Sequence, residues 1–440
     1  MASNRTYKSW LIVCFLIISL IYCFHHFISK QIEFVKYADG LLIQDYAYYI
    51  IVVKGFWFEN LGDIYKLSFQ QQAVSAYTGF HISSVMPLGI TPIALIVWFP
   101  FAYVARFSMA LSYTLWIFSS LGVLFSALLI ICKYAFHQTK PQSLPIALSL
   151  AALFSLTMVR ALIFGQTSIL ATGLLIHLIF YAYKITNELK SGSRLPILLA
   201  IFLLGIKPTY LALGLGVLII YGLWAEAIYS VLLLIVSLLF ITPFLTTDWI
   251  FSYYQQLSVF SRETVPYEYA RAFAPHTMNI FRSAFRNIIG DKIARSISTM
   301  VTVGVYTGVI GYSILLKIKN VSIDEPSPLK VTKAQLFVLI IGSYLLFAPY
   351  AGGYEDLLLL PVFIMVLLAG NSPNLTNYKS IALICILFFI LFYNTLPPNK
   401  PVWLFWTLKA VILGCMLNFS GFRKEEKGVP VKASHFENKP

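Results

Sequence analysis

The chain has 440 residues, of which 59% are hydrophobic and only 11% are charged, and its mean hydropathy is +0.78. A soluble protein cannot cover so much apolar surface, whereas lipid can, so the composition excludes a soluble domain and predicts an all-α, polytopic membrane protein. The net charge of +14 is explained by basic residues that hold loops in the cytoplasm, so we expect no nucleic-acid partner.

Apolar runs of about spanning length follow one another along the chain. The first, 10–29, is too long for a signal peptide and lacks a small-residue cleavage site, so we predict a retained helix. The later runs are 88–132, 144–160, 166–183, 195–206, 209–223, 227–245, 297–316, 335–349, 357–370, 381–396 and 402–419. We expect about 12 crossings in one integral unit, 1–420, followed by a polar, disordered cytoplasmic tail, 421–440.

Five segments rich in Lys and Arg separate the runs: MASNRTYK, KYAFHQTK, KITNELKSGSR, KIKNVSIDEPSPLK and RKEEKGVPVK. Placing all five in the cytoplasm satisfies the positive-inside rule. Both termini are then cytoplasmic, and 31–86, 246–296, 350–356 and 397–401 lie outside. This requires an odd number of crossings in 88–132. One crossing with a re-entrant or interfacial piece satisfies it, and so do three short crossings.

The acids are concentrated on the predicted outer side, where eleven of the 18 fall in the first three outer segments. Residues 43–58 read as a helix in which Asp45, Tyr48, Tyr49, Val52 and Phe56 form one stripe. Such a helix would lie in the membrane interface, and an Asp on its aromatic face would be partly desolvated. Desolvation raises the proton affinity of a carboxylate, which suits a general base. The alternative is that Asp45 only caps the helix.

The second long outer segment, 246–296, is rich in cations and aromatic residues. The cations are Arg262, Arg271, Arg282, Arg286, Lys292 and Arg295, and His276 lies among them. Cations in an exported loop run against the charge bias of the rest of the chain. An anionic ligand explains them, and phosphate is the natural partner of Arg. The alternatives are ion pairs with neighbouring acids and contacts with lipid phosphates.

Lys207 lies in LLGIKPTYLALG, between two apolar runs and directly before Pro208. A lysine at a helix break within a membrane is costly unless it has a partner, and a phosphate is one candidate. The alternative is that the side chain extends to the interface without a specific partner.

Several segments occur in a distinctive order between residues 37 and 361. They are Asp45 with Tyr48, Tyr49, Gly55 and Asp63-Ile64-Tyr65, then MPLGITP, Gly165-Gln166, LLGIKP ending at Lys207-Pro208, HTMNIFRSAF with His276 and Asn279, and FAPYAGGYEDLLLLP. In this order they resemble the GT-C superfamily of membrane glycosyltransferases. The chain is most similar to the polyprenyl-phosphate-mannose-dependent α-mannosyltransferases of the mycobacterial phosphatidylinositol mannoside type, glycosyltransferase family 87.

The resemblance implies a multi-pass enzyme of the bacterial inner membrane, with its active site facing the periplasm. It would move a sugar, most simply mannose, from a polyprenyl-phosphate donor to a lipid or glycan hydroxyl, with inversion and without metal or cofactor. In this scheme Asp45 is the base. The donor phosphate would be bound by Lys207, His276, Arg262 and Arg271. The other substrate contacts would be made by Tyr49, Tyr65, Gln166, Asn279, Glu355 and Asp356.

Two other functions remain open on the sequence alone. An O-antigen ligase or polymerase would rely on the outer Arg and His residues and not on Asp45. A transporter of lipid-linked glycans or solutes would have ionisable residues at mid-membrane and related halves. The sequence has few such residues and no obvious internal repeat.

Overall fold

A computed structural model describes residues 45–60, 62–79, 88–138, 157–158, 161–162, 165–188, 194–261, 280–318, 332–348, 353–362 and 402–421. Within these ranges the chain is helical and contains no strand, which confirms the predicted all-α class. The predicted spans at 10–29 and 381–396, most of 144–160, more than half of 357–370, the predicted outer segment 397–401 and the tail beyond 421 lie outside the described residues.

The helices are numbered here in chain order. They are α1 (Asp45–Phe58), α2 (Leu67–Thr78), α3 (Ile93–Ala105), α4 (Met109–Gln138), α5 (Ser168–Glu188), α6 (Leu195–Leu204), α7 (Pro208–Ile220), α8 (Trp224–Ile241), α9 (Trp249–Ser261), α10 (Ile280–Ile289), α11 (Asp291–Ile318), α12 (Lys333–Phe347) and α13 (Val402–Gly421). Two 3-10 turns, Thr242–Phe244 and Gly353–Leu358, follow α8 and α12. One hydrophobic core joins these elements, from Tyr46 in α1 to Met416 in α13.

Four of the described helices are long and apolar enough to cross a membrane. The candidate spans are Met109–Ile130, Ser168–Thr186, Trp224–Phe244 and Asp291–Ile318. The shorter apolar helices are α3, α6, α7 and α12. The predicted runs 195–206 and 209–223 contain α6 and α7, which form a hairpin because Gly214 of α7 lies against Ile201 and Leu204 of α6. At 1.5 Å per residue, α6 and α7 are each shorter than the ~30 Å hydrocarbon core.

The long apolar run 88–132 contains a short helix and a long one. The 13 residues of α3 are followed, after a tight turn, by the 30 residues of α4. The two helices fold back on each other, since Ser112 Oγ donates to Phe101 O at 2.7 Å and the Trp98 and Trp116 rings are 5.8 Å apart. The alternative of three short crossings within 88–132 is therefore wrong, because α4 is one continuous helix that is long enough to cross the membrane on its own.

Helix ends that the charge bias predicts to lie outside come together in the structure. Gln166, just before α5, donates a hydrogen bond to Asp45 at the start of α1. Lys207, just before α7, pairs with Glu355 in the turn after α12 at 3.6 Å. Four chain segments that are distant in sequence thus meet at one end of the bundle.

Helix ends predicted to be cytoplasmic meet at other contacts. Arg194 before α6 pairs with Glu226 in the first turn of α8 at 3.2 Å. Gln335 in the first turn of α12 donates to the carbonyl of Leu417 near the end of α13 at 3.2 Å. Each of these four contacts joins segments that the positive-inside rule places on the same side of the membrane.

The side of the membrane on which each group lies can be measured in cells. In a cysteine-free background, we expect Lys190→Cys to resist an impermeant thiol reagent in intact cells and to react after permeabilisation. Tyr77→Cys, at an exposed position in the predicted outer segment, is the matched control and should react in both states. Labelling of the cysteine at 190 in intact cells would overturn the topology and with it an outer site.

Candidate functional site

Asp45 is the first residue of α1 and is half-buried. Its carboxylate accepts a hydrogen bond from Gln166 Nε2, and Gln166 is fully buried. Burial raises the pKa of Asp45 above its ordinary value, although the positive charge of Lys207 and the hydrogen bond from Gln166 both act to lower it. A raised proton affinity in a positioned carboxylate is the property that a general base requires.

Helix α1 confirms the predicted helix over 45–58, the described part of 43–58, but it is not one-sided. Tyr46, Ile50 and Val53 lie off the predicted stripe and are as buried as Val52 and Phe56. The reason is that α1 packs against α2, α3 and α4. The prediction of a single buried stripe is therefore wrong, and α1 is a core helix that carries Asp45 at its tip.

A glycine allows α1 and the start of α5 to meet. Gly165 has a left-handed backbone, with φ of 60°, and a Cβ there would overlap Tyr46 Cβ. Its carbonyl accepts from Trp116 Nε1 at 3.0 Å, and the next N–H, that of Gln166, donates to Ala161 O at 2.8 Å. These hydrogen bonds fix the turn, and the turn places Gln166 next to Asp45. A side chain at position 165 would disturb this backbone geometry.

We expect Gly165→Ala to destabilise the protein by about 1–2 kcal/mol from the left-handed backbone alone. The clash with Tyr46 should add to this and separate Gln166 from Asp45. Thermal unfolding in detergent measures the loss. Gly122→Ala in α4 is the control, because no atom lies within 4 Å of the added Cβ, and equal stability of the two variants would contradict the account of this turn.

Lys207 has a carboxylate partner. Its backbone is extended, with φ of −122° and ψ of 137°, and Pro208 begins α7 directly after it. Lys207 Nζ lies 3.6 Å from Glu355 Oε1 and 5.2 Å from the centre of the Tyr210 ring. Its side chain is only 13% exposed. The expectation that this lysine has a partner is confirmed, and within the described residues that partner is Glu355.

Glu355 and Asp356 are adjacent in sequence and contact different partners. Tyr210 OH lies within 2.6 and 2.7 Å of the two Glu355 carboxylate oxygens, to which it can donate. Asp356 forms an ion pair with Lys409 of α13, and both side chains are fully buried. Neither Tyr210 nor Lys409 was predicted as a site residue. Both could have been found in the sequence, because Tyr210 lies one turn beyond Lys207 and Lys409 is the single charged residue in the apolar run 402–419.

Tyr49 lies between these groups. Its ring stacks on Trp98, with 4.9 Å between centroids and an angle of 21°. Burial raises the pKa of Tyr49, and the nearby charges of Asp45 and Glu355 raise it further. The structure therefore brings five predicted site residues into one region, and they are Asp45, Tyr49, Gln166, Lys207 and Glu355.

Tyr65 belongs to a different cluster. Its ring lies 4.9 Å from that of Tyr253 and 6.3 Å from that of Trp249, and its N–H donates to Asp63 Oδ1 at 2.9 Å. Lys66, which pairs with Asp248 at 3.0 Å, borders this cluster. The structure thus separates Tyr65 from the contacts made by Asp45.

Four predicted site residues lie outside the described residues, so their assigned roles remain predictions. They are Arg262, Arg271, His276 and Asn279.

The described part of the site holds more acids than bases. Its carboxylates are Asp45, Glu355 and Asp356, and its cations are Lys207 and Lys409. Among the described residues, no group of three or more His, Cys, Asp and Glu side chains is arranged to hold a metal ion. The polar groups that the described part of the site offers are a desolvated carboxylate, a paired lysine and their hydrogen-bond partners.

Comparison with known proteins gives no relative from which a function can be transferred. No protein-family model matches the chain, and no curated protein and no solved structure is significantly similar to it.

Proposed function

We propose that the chain is a membrane glycosyltransferase of the GT-C type with about 12 spans. It transfers a sugar, mannose in the simplest case, from a polyprenyl-phosphate donor to a lipid or glycan hydroxyl at the outer face of the bacterial inner membrane. The observation that carries the proposal is that Asp45, which is hydrogen-bonded to Gln166, lies near enough to Lys207 to feel its charge, at the bundle end predicted to face outwards. A base and a phosphate-binding cation are the two groups that this transfer needs.

The chemistry requires one base. Asp45 accepts the proton of the acceptor hydroxyl while that oxygen attacks the anomeric carbon. The bond between the anomeric carbon and the phosphate oxygen breaks, and polyprenyl phosphate leaves with the bonding electrons. Lys207 stabilises the charge that develops on the phosphate. Phosphate is a good leaving group, so no acid is needed to protonate it, in contrast to the paired carboxylates of glycosidases. A single displacement inverts the anomeric centre.

Gln166 and the aromatic side chains supply orientation in this scheme. Gln166 donates to Asp45 Oδ2, which leaves Oδ1 available for the acceptor proton. The buried Gln166 Oε1 has no hydrogen-bond partner among the described residues, and a sugar hydroxyl is a suitable donor to it. Tyr49, which stacks on the buried Trp98, is partly exposed and offers an aromatic face of the kind on which sugar rings rest.

One observation favours a transporter as the second candidate. Lys409 and Asp356 form a fully buried ion pair inside the helix bundle. Ionisable pairs in such places mark ion and substrate pathways in many transporters. In the glycosyltransferase scheme the same pair anchors the turn that carries Glu355.

Reconstituted protein separates the two functions. We expect vesicles that contain a panel of polyprenyl-phosphate sugars and glycolipid acceptors to accumulate a glycosylated acceptor and free polyprenyl phosphate. Protein-free vesicles are the control. Movement of intact donor between leaflets, with no bond cleaved for any donor in the panel, would contradict the proposal and favour the transporter.

A further inference from the structure

The cation assigned to the donor phosphate is already engaged by the protein. Lys207 Nζ lies 3.6 Å from Glu355 Oε1, and the Glu355 side chain is 1% exposed. Tyr210 is positioned to hold the same carboxylate, with its hydroxyl 2.6 and 2.7 Å from the two oxygens. A phosphate that binds Lys207 must therefore enter beside a buried carboxylate or displace it.

Electrostatics makes simple addition of the phosphate unfavourable. With Asp45, Glu355 and Asp356 ionised, the described site already has one more negative than positive charge. A second anion next to Glu355 would face a like charge where little water is present to screen it. Lys409 cannot neutralise the added negative charge without breaking its buried ion pair with Asp356. The charge balance is restored if one carboxyl group takes up a proton.

We propose that Glu355 is the internal counter-ion of Lys207, and that the phosphate of a lipid phosphodiester displaces it with the uptake of one proton from solvent. The proton goes to the Glu355 carboxylate, and no other bond forms or breaks in this step. This inference rests on the proposed function, because it assumes that Lys207 receives the donor phosphate.

The surroundings of Glu355 make it the group that takes the proton. The titratable and charged groups that face it are Tyr49 of α1, Lys207 and Tyr210 at α7, Tyr344 of α12, the neighbouring Asp356, and Lys409 of α13. Burial raises the pKa of Glu355, and the main opposing influences are Lys207 and Tyr210. When the phosphate binds Lys207, this lysine no longer stabilises the ionised form of Glu355. Asp356 remains paired with Lys409, and Asp45 must stay ionised to act as the base.

The direction of the pH effect follows from this exchange. At low pH Glu355 is already protonated in the free protein, so Lys207 is available and the phosphate binds tightly. As pH rises, the Glu355 carboxylate forms and competes for Lys207, so affinity falls. One proton limits the slope to about tenfold per pH unit. A lipid diphosphate should bind less well, because its extra negative charge would lie near the carboxylates of Asp45, Glu355 and Asp356.

The test uses farnesyl methyl phosphate, a diester whose single negative charge is constant over the neutral pH range. We expect its affinity for purified wild-type protein to fall with rising pH. Glu355→Gln should bind it at high pH as tightly as the wild type does at low pH, with a flat profile. Glu226→Gln, which alters a buried glutamate paired with Arg194 at the other end of the bundle, is the matched control and should keep the wild-type slope.

A second variant covers the case in which Glu355→Gln does not fold. Tyr210→Phe removes a donor that favours the ionised form of Glu355, so the fall in affinity should move to higher pH. An unchanged slope in Glu355→Gln, or an unchanged profile in Tyr210→Phe, would overturn the counter-ion role while leaving the proposed function in place. No binding of the diester by wild-type protein at any pH would contradict both.

Discussion

Replacing Asp45 with asparagine should abolish sugar transfer while expression, detergent stability and donor binding stay near wild type. Asn keeps the shape of the side chain, can still accept the hydrogen bond from Gln166, and is about as good a helix cap as Asp. It cannot accept the acceptor proton. A positioned general base contributes about 10²–10⁴-fold, so turnover measured with a polyprenyl-phosphate sugar should fall by that amount.

Two control variants separate this role from a structural one. Asp63→Asn changes another buried aspartate, whose Oδ1 accepts the N–H of Tyr65, and it should keep most of the transfer activity. If Asp45 only stabilises the helix start, Asn would be tolerated and Asp45→Ala would cost roughly 1 kcal/mol of stability. Wild-type turnover of Asp45→Asn would remove Asp45 as the base and favour the ligase or transporter.

Lys207→Met should weaken donor binding or turnover by about 2–4 kcal/mol, the scale for removing a charge stabiliser from a dry site. Methionine has a similar length, so packing at the helix break is kept. The variant leaves Glu355 buried without its lysine, but burial already raises the pKa of Glu355, so it can become neutral. Initial rates over a range of donor concentrations measure the effect.

A double variant, Lys207→Met with Glu355→Gln, tests the effect of leaving the buried Glu355 carboxylate without its lysine. It should regain stability relative to the single variant but not regain turnover, because the lysine that stabilises the phosphate is still missing. Lys66→Met is the exposed control. Its side chain is 49% exposed and pairs with Asp248 at 3.0 Å, so solvent screens the pair and the transfer kinetics should stay near wild type. Unchanged kinetics in Lys207→Met would show that Lys207 serves packing alone.

Local sequence signals predicted the positions of the site but not its partners. The helix at 43–58 is predicted by the helical spacing of Asp45, Tyr48, Tyr49, Val52 and Phe56. Lys207 is predicted as a site residue because a charge at a break between apolar runs needs compensation. Glu355 could not be assigned as its partner, since the two are brought together by the packing of α7 against α12 and the turn after it. The Gly165-Gln166 dipeptide was noted as a motif, and only the close approach to Tyr46 explains the glycine.

The one-sided α1 was predicted wrongly for a physical reason. In water, an apolar stripe marks the buried face of a helix. In a membrane protein lipid is as apolar as leucine, so hydrophobicity does not tell a face in contact with lipid from one in contact with protein. The sequence DYAYYIIVVKGFWF is apolar on nearly every face. The spacing of apolar residues alone therefore could not predict that α1 is buried against α2, α3 and α4.

A single displacement at the anomeric carbon of a polyprenyl-phosphate sugar, with Asp45 as the base, inverts that centre, so the anomeric configuration of the product reports on the mechanism. Purified protein is incubated with a donor of known configuration and an acceptor, and the anomeric proton of the product is recorded by NMR. We expect the inverted anomer, with one polyprenyl phosphate released for each glycosidic bond formed. A product with retained configuration, or no product from any polyprenyl-phosphate sugar, would contradict it.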